Sequence, residues 1–387
     1  MAKYKIEIKY PEERMKKNKI RFENNSNFMP TDRTPVLFNC IERYYLKVRG
    51  VSYSEFLSDS KTMLHNMILN QAWAIENIPD DRCIDKVIPI AGPWFDNTLN
   101  CEAFGAEIAY YNDEPPRVKR LLFKPEEVES LKIPKPDDGL WGRKIKYFLE
   151  WQDMIKDYEV TFNDVPGKIE IIILDDSGSD GPLTTAMSLA KEDFLIWALD
   201  YPEICHMLLN KITQATLDRC IFLRKIDPRT PTDFKLVDDF AELISVEMYR
   251  KLIVPYINKT FNVVGAGLKD GRAIHNCGNC THLLDAYVND LKITGFWLFG
   301  HPVDPYIVAK KMGGKVKVWG NLNCMTLLLG TKEQAYNNSI NCLKAFAPYC
   351  GYILGDGANI APDTPLENLE QILKAAEDFG NVPKLNK

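Results

Sequence analysis

The sequence predicts an α/β fold whose main unit is a (β/α)8 TIM barrel with an N-terminal extension and long loops on one rim. Short apolar stretches typical of buried strands recur through the second half of the chain, and amphipathic helical stretches separate them. Six or more such units within about 220 residues favour a closed barrel over an open sheet. No glycine-rich G-x-G-x-x-G turn follows the early strands, which argues against a dinucleotide-binding fold.

The first part of the chain divides into three predicted segments. Residues 1–36 are charged and interrupted by prolines, and they are predicted to form an N-terminal arm, or a first helix, ahead of a single barrel domain spanning 37–387. Apolar residues at helical spacing predict an amphipathic helix over 54–78. Residues 91–138 are rich in loops and contain six prolines, so we expect an insertion that covers the site.

The remaining chain alternates between the two element types. Strands are predicted at the short apolar segments 168–174, 234–237, 260–264, 295–299, 315–319 and 351–354. Helices are predicted from apolar periodicity at 181–189, 200–224, 246–263, 281–290, 304–312, 331–347 and 365–379. The two predictions overlap at 260–263, where both readings stay open.

Polar residues follow the predicted strands at the point where each strand ends. Active sites of such barrels lie at the carboxyl ends of the strands, so we expect these side chains on one rim. They are Asp175, Asp176, Ser177, Asp238, Asp239, His275, Cys277, Asn321, Asn323, Cys324, Asp356 and Asn359. Any one of them could instead be a helix N-cap or turn residue, but five loops delivering such groups favour a site.

His275 and Cys277 form the most informative pair. In an extended strand end, two residues in an H-x-C arrangement point to the same face. An imidazole and a thiolate on one face are two ligands of a tetrahedral zinc site, and a third must come from elsewhere. A buried histidine and cysteine packed at a strand end is the alternative. Cys280 completes a C-x-x-C spacing, but no helix start of the kind that a redox pair uses follows it.

Bulk properties exclude several classes of function. The net charge of −5 gives no support for nucleic-acid binding, and no apolar run reaches the roughly 20 residues that span a bilayer. The first 21 residues lack the apolar core of a secretory signal. Ten cysteines are then expected to be free thiols with a few metal ligands, in a cytoplasmic protein.

At these residues the sequence resembles the uroporphyrinogen decarboxylase superfamily, and within it the cobalamin-dependent methyltransferase branch, of the corrinoid-protein O-demethylase type. The specific stretches are His275-Asn276-Cys277-Gly278-Asn279, Gly320-Asn321-Leu322-Asn323 and residues 355–368, GDGANIAPDTPLEN. Weaker ones lie at 180–184, 237–239, 244–245 and Tyr249, and the resemblance runs from Thr34 to the C-terminus. It implies a (β/α)8 barrel and, in the methyltransferase branch, zinc bound by the H-x-C pair and a further cysteine.

The chain lacks the further cysteine that binds zinc in the methyltransferases that it resembles. Relatives acting on coenzyme M carry the further cysteine in the glycine-rich loop, where this chain reads Gly357-Ala358-Asn359. We therefore expect zinc on His275, Cys277 and Glu102, with Cys324 the second choice and Asp356 the third, since carboxylates also bind zinc. A solvated loop carboxylate is the alternative for Glu102. The arginine-containing motif with which the decarboxylases hold a polycarboxylate tetrapyrrole is not evident near Arg33 and Arg43.

The resemblance and the ligand chemistry together predict a function. We expect a zinc-dependent methyltransferase that moves a methyl group from a small methoxylated substrate, with an aromatic one expected, to a Co(I) corrinoid. The corrinoid belongs to a separate carrier protein, because the chain has no D-x-H-x-x-G pattern of its own. A neutral His-Cys-carboxylate zinc centre would polarise an ether oxygen better than a multi-thiolate one.

Individual roles follow from position. Asp356, Asn323 and Asp176 are the expected polar anchors or proton carriers, while Trp94, Phe104, Trp297, Trp319 and Asp239 are expected to bind the substrate. Oligomers are possible. The alternatives are a metal-free decarboxylase-like lyase, a methylcobalamin:thiol methyltransferase, and a binding protein that kept the barrel and lost the chemistry.

Overall fold

The computed structural model describes residues 3–173, 179–229 and 233–383. In that part of the chain, strands β1 to β13 are Tyr4–Ile8, Val87–Ile90, Ile108–Ala109, Arg117–Val118, Tyr158–Phe162, Val165–Pro166, Lys168–Ile171, Ser179–Asp180, Asp233–Val237, Asp270–His275, Gly295–Phe299, Lys317–Leu322 and Tyr352–Asp356. Helices α1 to α16 are Glu12–Ser26, Glu42–Arg49, Tyr53–Phe56, Ser60–Asn77, Leu99–Ala103, Glu127–Ser130, Gly139–Met154, Pro182–Ala190, Asp193–Asp200, Pro202–Ile226, Val246–Met248, Val254–Val263, Pro305–Met312, Cys324–Leu329, Lys332–Phe346 and Leu366–Phe379. Short 3-10 turns occupy Ile155–Asp157, Asp239–Leu243 and Thr281–Leu283, and π turns occupy Tyr249–Ile253 and Ala286–Asp290.

A six-stranded parallel sheet in the order β13-β12-β11-β10-β9-β8 carries the second half of the molecule. Helices connect its strands, as parallel pairing requires. Val36 forms a parallel bridge to Leu354 at the β13 edge, and β2 pairs in parallel with β7 in a separate sheet. In the described residues, no strand pairing joins these two parallel sheets. The structure therefore shows a parallel α/β architecture, and closure of the strands into a barrel is not shown.

The register of the large sheet places the polar strand ends side by side. His275, the last residue of β10, pairs with Val237 at the end of β9 and with Trp297 of β11. Asp356 ends β13 and pairs with Leu322, which ends β12. The carboxyl ends of these parallel strands therefore share one edge of the sheet.

Two buried apolar clusters surround this framework. The larger cluster packs the main sheet against its crossover helices and includes Phe234, whose ring lies 6.3 Å from that of Phe261 on α12. The second cluster joins β1, α4, α7 and the β2–β7 pair around Trp151. Segment 1–36 contributes to it, because β1 pairs with β5 along its whole length and Met15 of α1 is buried there.

The structure corrects one predicted strand. Segment 260–264 was open to both a strand and a helix, and the strand reading is wrong because Val254–Val263 is helical. Ile257, Thr260 and Phe261 are buried at the three- and four-residue spacing of a helix face. The Thr260 hydroxyl donates to the carbonyl oxygen of Tyr256 one turn back, at 3.0 Å.

Two further segments differ in detail. The predicted helix 281–290 is a 3-10 turn followed by a π turn, and the insertion 91–138 contains the short helices α5 and α6 and the β3–β4 hairpin. None of the helices in the described ranges combines the length and apolarity that crossing a bilayer requires.

Candidate functional site

Asp239, His275 and Cys277 meet where β9 and β10 end. One potential ligand atom from each lies within 4.8 Å of the other two, and no other such group of three occurs in the described residues. The Oδ1 of Asp239 lies 3.3 Å from Nε2 of His275 and 3.2 Å from Sγ of Cys277.

Backbone pairing beyond the two strands brings the three residues together. The amide of Asp238 donates to the carbonyl oxygen of His275 at 2.8 Å, which continues the β9–β10 ladder by one residue. The Asn276 side chain donates to the carbonyl oxygen of Asp238 at 2.6 Å, and the amide of Cys277 donates to Oδ1 of Asp239 at 3.2 Å. Adjacent strand ends therefore supply one carboxylate, one imidazole and one thiol.

The imidazole orientation is fixed by the neighbouring strand. Nδ1 of His275 lies 2.9 Å from the carbonyl oxygen of Trp297, an acceptor that requires a proton on Nδ1. In the neutral ring Nε2 then carries the lone pair, and Nε2 is the nitrogen that faces Asp239. Metal-binding histidines commonly use such an outer hydrogen bond to present the other nitrogen.

Burial and the neighbouring side chains shift the pKa values of Cys277 and Asp239. Burial, and then the Asp239 carboxylate, raise the pKa of Cys277 to about 12. Burial also acts to raise the pKa of Asp239, but the neighbouring His275 ring and the hydrogen bonds from Cys277 outweigh it and hold that pKa below its ordinary value. A bound metal would displace the thiol proton, since the thiolate is the ligand form.

The three donors fit zinc. Zinc bonds of about 2.0–2.3 Å at tetrahedral angles place ligand atoms roughly 3.3–3.7 Å apart. The separations of 3.2 and 3.3 Å need only a small expansion to meet that geometry. Three protein ligands would leave a fourth position for substrate, as in catalytic zinc sites.

The acid that lies beside His275 and Cys277 is not the one that the sequence analysis expects as a ligand. Glu102 lies in α5, and its Oε2 accepts a hydrogen bond from the amide of Leu140 at the start of α7 at 2.7 Å. Cys324 begins α14, where burial raises the pKa of its thiol to about 12. The structure brings neither to His275 and Cys277 and offers Asp239 instead, which we had expected to bind substrate. The signal was present in the sequence, because Asp239 directly follows the strand that neighbours β10.

Asp356 is a second buried carboxylate on this rim. Its Oδ1 accepts the amide of Asn39 at 2.8 Å, whereas its Oδ2 is buried and has no hydrogen-bond partner among the described residues. Burial raises the pKa of Asp356 to about 6, against the opposing effects of backbone amides and of nearby His275. A carboxyl group with a free buried oxygen can hold a proton and present it.

Of the other two expected polar groups, Asn323 caps a helix and Asp176 lies outside the described residues. Asn323 is the N-cap of α14, and its Oδ1 accepts the amides of Met325 at 2.9 Å and Thr326 at 3.4 Å. A side chain committed in this way stabilises a helix start. Asp176 lies outside the described residues, so its expected role stays a prediction.

The four aromatic residues that we expect to bind substrate lie in three different places. Trp297 and Trp319 pack edge to face at 5.8 Å inside the main sheet, beside a cavity of about 240 Å³ that also borders Asp270 and Lys317 near the amino ends of the strands. Phe104 is buried in the larger apolar cluster. Trp94 lines another cavity, on the rim, that the other three residues do not border.

This rim cavity, which lies at the ends of β2 and β7, has a volume of about 530 Å³. It is lined by Trp94 and Trp141 and, among its polar groups, by Asn39, Glu42 and Asp180. The metal-type group does not line it but lies nearby along the rim. Asn39 donates its amide to Asp356, and Asp180 pairs with Val237, two residues before Asp239. Glu42 and Trp141 were missed in the sequence because they follow no predicted strand.

Comparisons with known proteins agree with this architecture. The chain is similar to a methylated-thiol–coenzyme M methyltransferase of Methanosarcina mazei, with 24% identity over 75% of this chain and 73% of that protein. It is 24% identical to the uroporphyrinogen decarboxylase of Xanthomonas axonopodis pv. citri over 91% of this chain and 96% of that one. The solved structure of a methyltransferase from Methanosarcina mazei shares the fold, with a TM-score of 0.66 and 20% identity, over 94% of this chain and 98% of that chain. The sequence profile of the family described as Uroporphyrinogen decarboxylase (URO-D) matches residues 18–379, and the chain belongs to that family.

Proposed function

We propose that this protein is a zinc-dependent methyltransferase that moves a methyl group from a methoxylated substrate, with an aromatic one expected, to the Co(I) corrinoid of a separate carrier protein. The observation that carries the proposal is the convergence of Asp239, His275 and Cys277 at the carboxyl ends of two adjacent strands. The similarity to a methylated-thiol methyltransferase supports methyl transfer as the reaction class.

The donor set favours an oxygen leaving group. Bound zinc would supply Lewis-acid stabilisation of charge developing on a leaving oxygen. One carboxylate, one thiolate and one neutral imidazole balance a divalent cation, so the centre is formally neutral and more electrophilic than one with several thiolates. Demethylation of an ether needs that help because a phenoxide, with a conjugate-acid pKa near 10, leaves poorly.

The chain's own residues hold and orient the parts. Trp297 fixes the His275 ring through its carbonyl oxygen, and the free Oδ2 of Asp356 can carry a proton toward the departing oxygen below about pH 6. Asp176 and Asn323 stay proposed as further polar anchors. Trp94 offers an aromatic wall for a flat ligand.

We also propose that the strands close into an eight-stranded barrel. The supporting observations are the bridge from Val36 to the β13 edge and the parallel pairing of β2 with β7, which add parallel segments to the six-stranded sheet. Eight strands result when the short segments β7 and β8 are counted as one. A closed barrel would put the rim cavity and the Asp239 group around a single opening.

A methylated thiol is the second candidate donor, because the similar protein of Methanosarcina mazei is named for that substrate. A metal-free decarboxylase receives less support. Its polycarboxylate substrate would need several cations, and Lys144 is the one basic side chain among the described residues that line the rim cavity.

Metal analysis and a methyl-transfer assay test the proposal. The purified protein should hold about one zinc per chain, and it should transfer methyl groups from 2-methoxyphenol to Co(I) cobalamin, a stand-in for the carrier, as followed by the absorbance of methylcobalamin. His275→Ala and Cys277→Ser should abolish both properties. A protein without zinc that keeps its activity in both variants would exclude the zinc mechanism, and transfer from dimethyl sulfide but not from 2-methoxyphenol would favour the second candidate.

A further inference from the structure

The residue that precedes the candidate ligand Asp239 is held at three points. The amide of Asp238 donates to the carbonyl oxygen of His275 at 2.8 Å. The carbonyl oxygen of Asp238 accepts the side-chain amide of Asn276 at 2.6 Å, and its Oδ2 accepts the hydroxyl group of Tyr249 at 2.6 Å. The first bond belongs to the backbone, whereas the other two depend on particular side chains.

The two side chains that hold Asp238 are buried and come from different elements. Asn276 lies between the other two candidate ligands in the sequence, and Tyr249 is the first residue of the π turn that follows α11. Asn276 and Tyr249 are both 0% exposed. A hydrogen bond lost at such a place leaves a buried group without its partner, so the loss of either side chain favours a shift of Asp238.

Asn276 also fixes the loop that carries Cys277. Its Oδ1 accepts the amide of Gly278 at 2.9 Å, and its carbonyl oxygen accepts the amide of Gly300 at 3.0 Å. The side chain therefore joins the end of β9 to the loop after β10, and the backbone joins that loop to the end of β11. One residue thus relates the position of Asp239 to the positions of the two ligands on the neighbouring strand end.

Metal binding would remove one of the bonds that hold Asp239. Its Oδ1 accepts both the thiol and the amide of Cys277, each at 3.2 Å. The thiol bond is lost when a metal takes the place of the proton. Zinc bonds of only about 2.0–2.3 Å tolerate little displacement, so the placement of the carboxylate then depends more on the backbone that carries it. That backbone is held through Asp238.

We propose, on the basis of the zinc centre proposed above, that Asn276 and Tyr249 are positioning residues. They anchor Asp238 and thereby hold the Asp239 carboxylate beside His275 and Cys277, where it can bind the metal. Neither residue touches the metal-type group with its own side chain in the bonds described here, so each acts through Asp238.

Zinc affinity and cobalt spectra test the inference without requiring turnover. Asn276→Ala should weaken zinc binding about ten-fold or more, as measured by competition with a chromophoric chelator. Tyr249→Phe removes a single hydroxyl group and should weaken zinc binding about three-fold or more. With Co²⁺ in place of zinc, the absorption bands of a tetrahedral centre should lose intensity in both variants. The charge-transfer band of the Cys277 thiolate should stay, because Asp239 and not Cys277 is displaced.

Asn368→Ala is the matched control. Asn368 is also a buried asparagine, 4% exposed, and its side chain donates to the carbonyl oxygens of Leu327 at 2.9 Å and Gly330 at 3.0 Å. Its replacement should lower stability in urea unfolding as Asn276→Ala does, but it should keep zinc affinity within about two-fold of the native value. The contrast separates the positioning of a ligand from a general loss of stability.

The outcomes separate this inference from the proposed function. An unchanged zinc affinity or cobalt spectrum in folded Asn276→Ala or Tyr249→Phe would overturn it, as would an equal loss of affinity in Asn368→Ala. If Asn276→Ala does not fold, Tyr249→Phe decides by the same criterion. Weakened zinc binding in both variants of a protein that transfers no methyl group would support the positioning role and exclude the proposed function. A native protein that binds no zinc would overturn both.

Discussion

The Nδ1 atom of His275 lies 2.9 Å from the carbonyl oxygen of Trp297, so the backbone of one strand sets which nitrogen its neighbour presents. A side-chain acceptor at that place could be lost by mutation, whereas a carbonyl oxygen is kept by every residue type. The ligand nitrogen of the candidate metal centre is thus fixed by the sheet itself.

Replacement of Asp239 tests the third ligand. Asp239→Ala should lower zinc affinity by about ten-fold or more, since one of three protein donors is lost, as measured by competition with a chromophoric chelator. Glu102→Gln is the matched control and should leave the affinity unchanged, because glutamine still accepts from the Leu140 amide. The reverse pattern would restore Glu102 as the ligand.

The pH profile of methyl transfer reports on Asp356. With its pKa raised to about 6 by burial, Asp356 is protonated below that pH, so kcat/KM should fall as the pH rises through 6 if the proton is used. Asp356→Asn cannot transfer a proton and should lose about 10²-fold or more in kcat/KM together with that limb of the profile. An unchanged profile in Asp356→Asn would remove Asp356 from the chemistry.

Glu42 should make folding stability depend on pH. The unfolded carboxyl group ionises near its ordinary value of 4.5, whereas the folded one ionises near 7, so the folded chain holds a proton that the unfolded chain has released. Stability is therefore lost as the pH rises from 4.5 to 7, by up to about 3 kcal/mol. Glu42→Gln should be more stable than the native protein at about pH 8 and not at about pH 4, as measured by urea unfolding. Parallel curves for the two proteins would contradict the shift.

A buried ion network fixes the segment before the main sheet. Asp81, 1% exposed, receives two hydrogen bonds of 2.6 Å from Arg33 and one of 3.1 Å from Arg21. Asp81→Ala would leave two buried guanidinium groups without this partner and should cost about 3–5 kcal/mol of unfolding free energy. Asp85→Ala removes a comparable pair with Lys19 at the surface and should cost less than about 1 kcal/mol. Equal losses in the two variants would show that burial is not the cause.

Local pattern predicted much of the fold and part of the site. The strands around 234–237 and 295–299 are visible in the sequence because a buried parallel strand is a short apolar run, and the structure has strands there. The segment 260–264 was ambiguous since a buried helix face and a strand can share the same composition over five residues. The similarity to the decarboxylase superfamily is confirmed by the family match over 18–379.

The acid beside His275 and Cys277 and the lining of the rim cavity could not be predicted, because they depend on contacts between distant segments. The spacing of His275 and Cys277 is local, and the structure brings them together, but which acid joins them depends on which strand lies beside β10. Glu42 gives no sequence signal at all. Its significance comes from burial beside residues some 50 and 100 positions away, such as Asp96 and Trp141.

The strand Tyr4–Ile8 pairs with Tyr158–Phe162, more than 150 residues later in the chain. During synthesis, the strand that pairs with Ile6 and Ile8 is therefore absent until residues 158–162 have left the ribosome. Chaperones would therefore find Ile6 and Ile8 exposed during that interval, whereas both side chains are buried in the finished molecule.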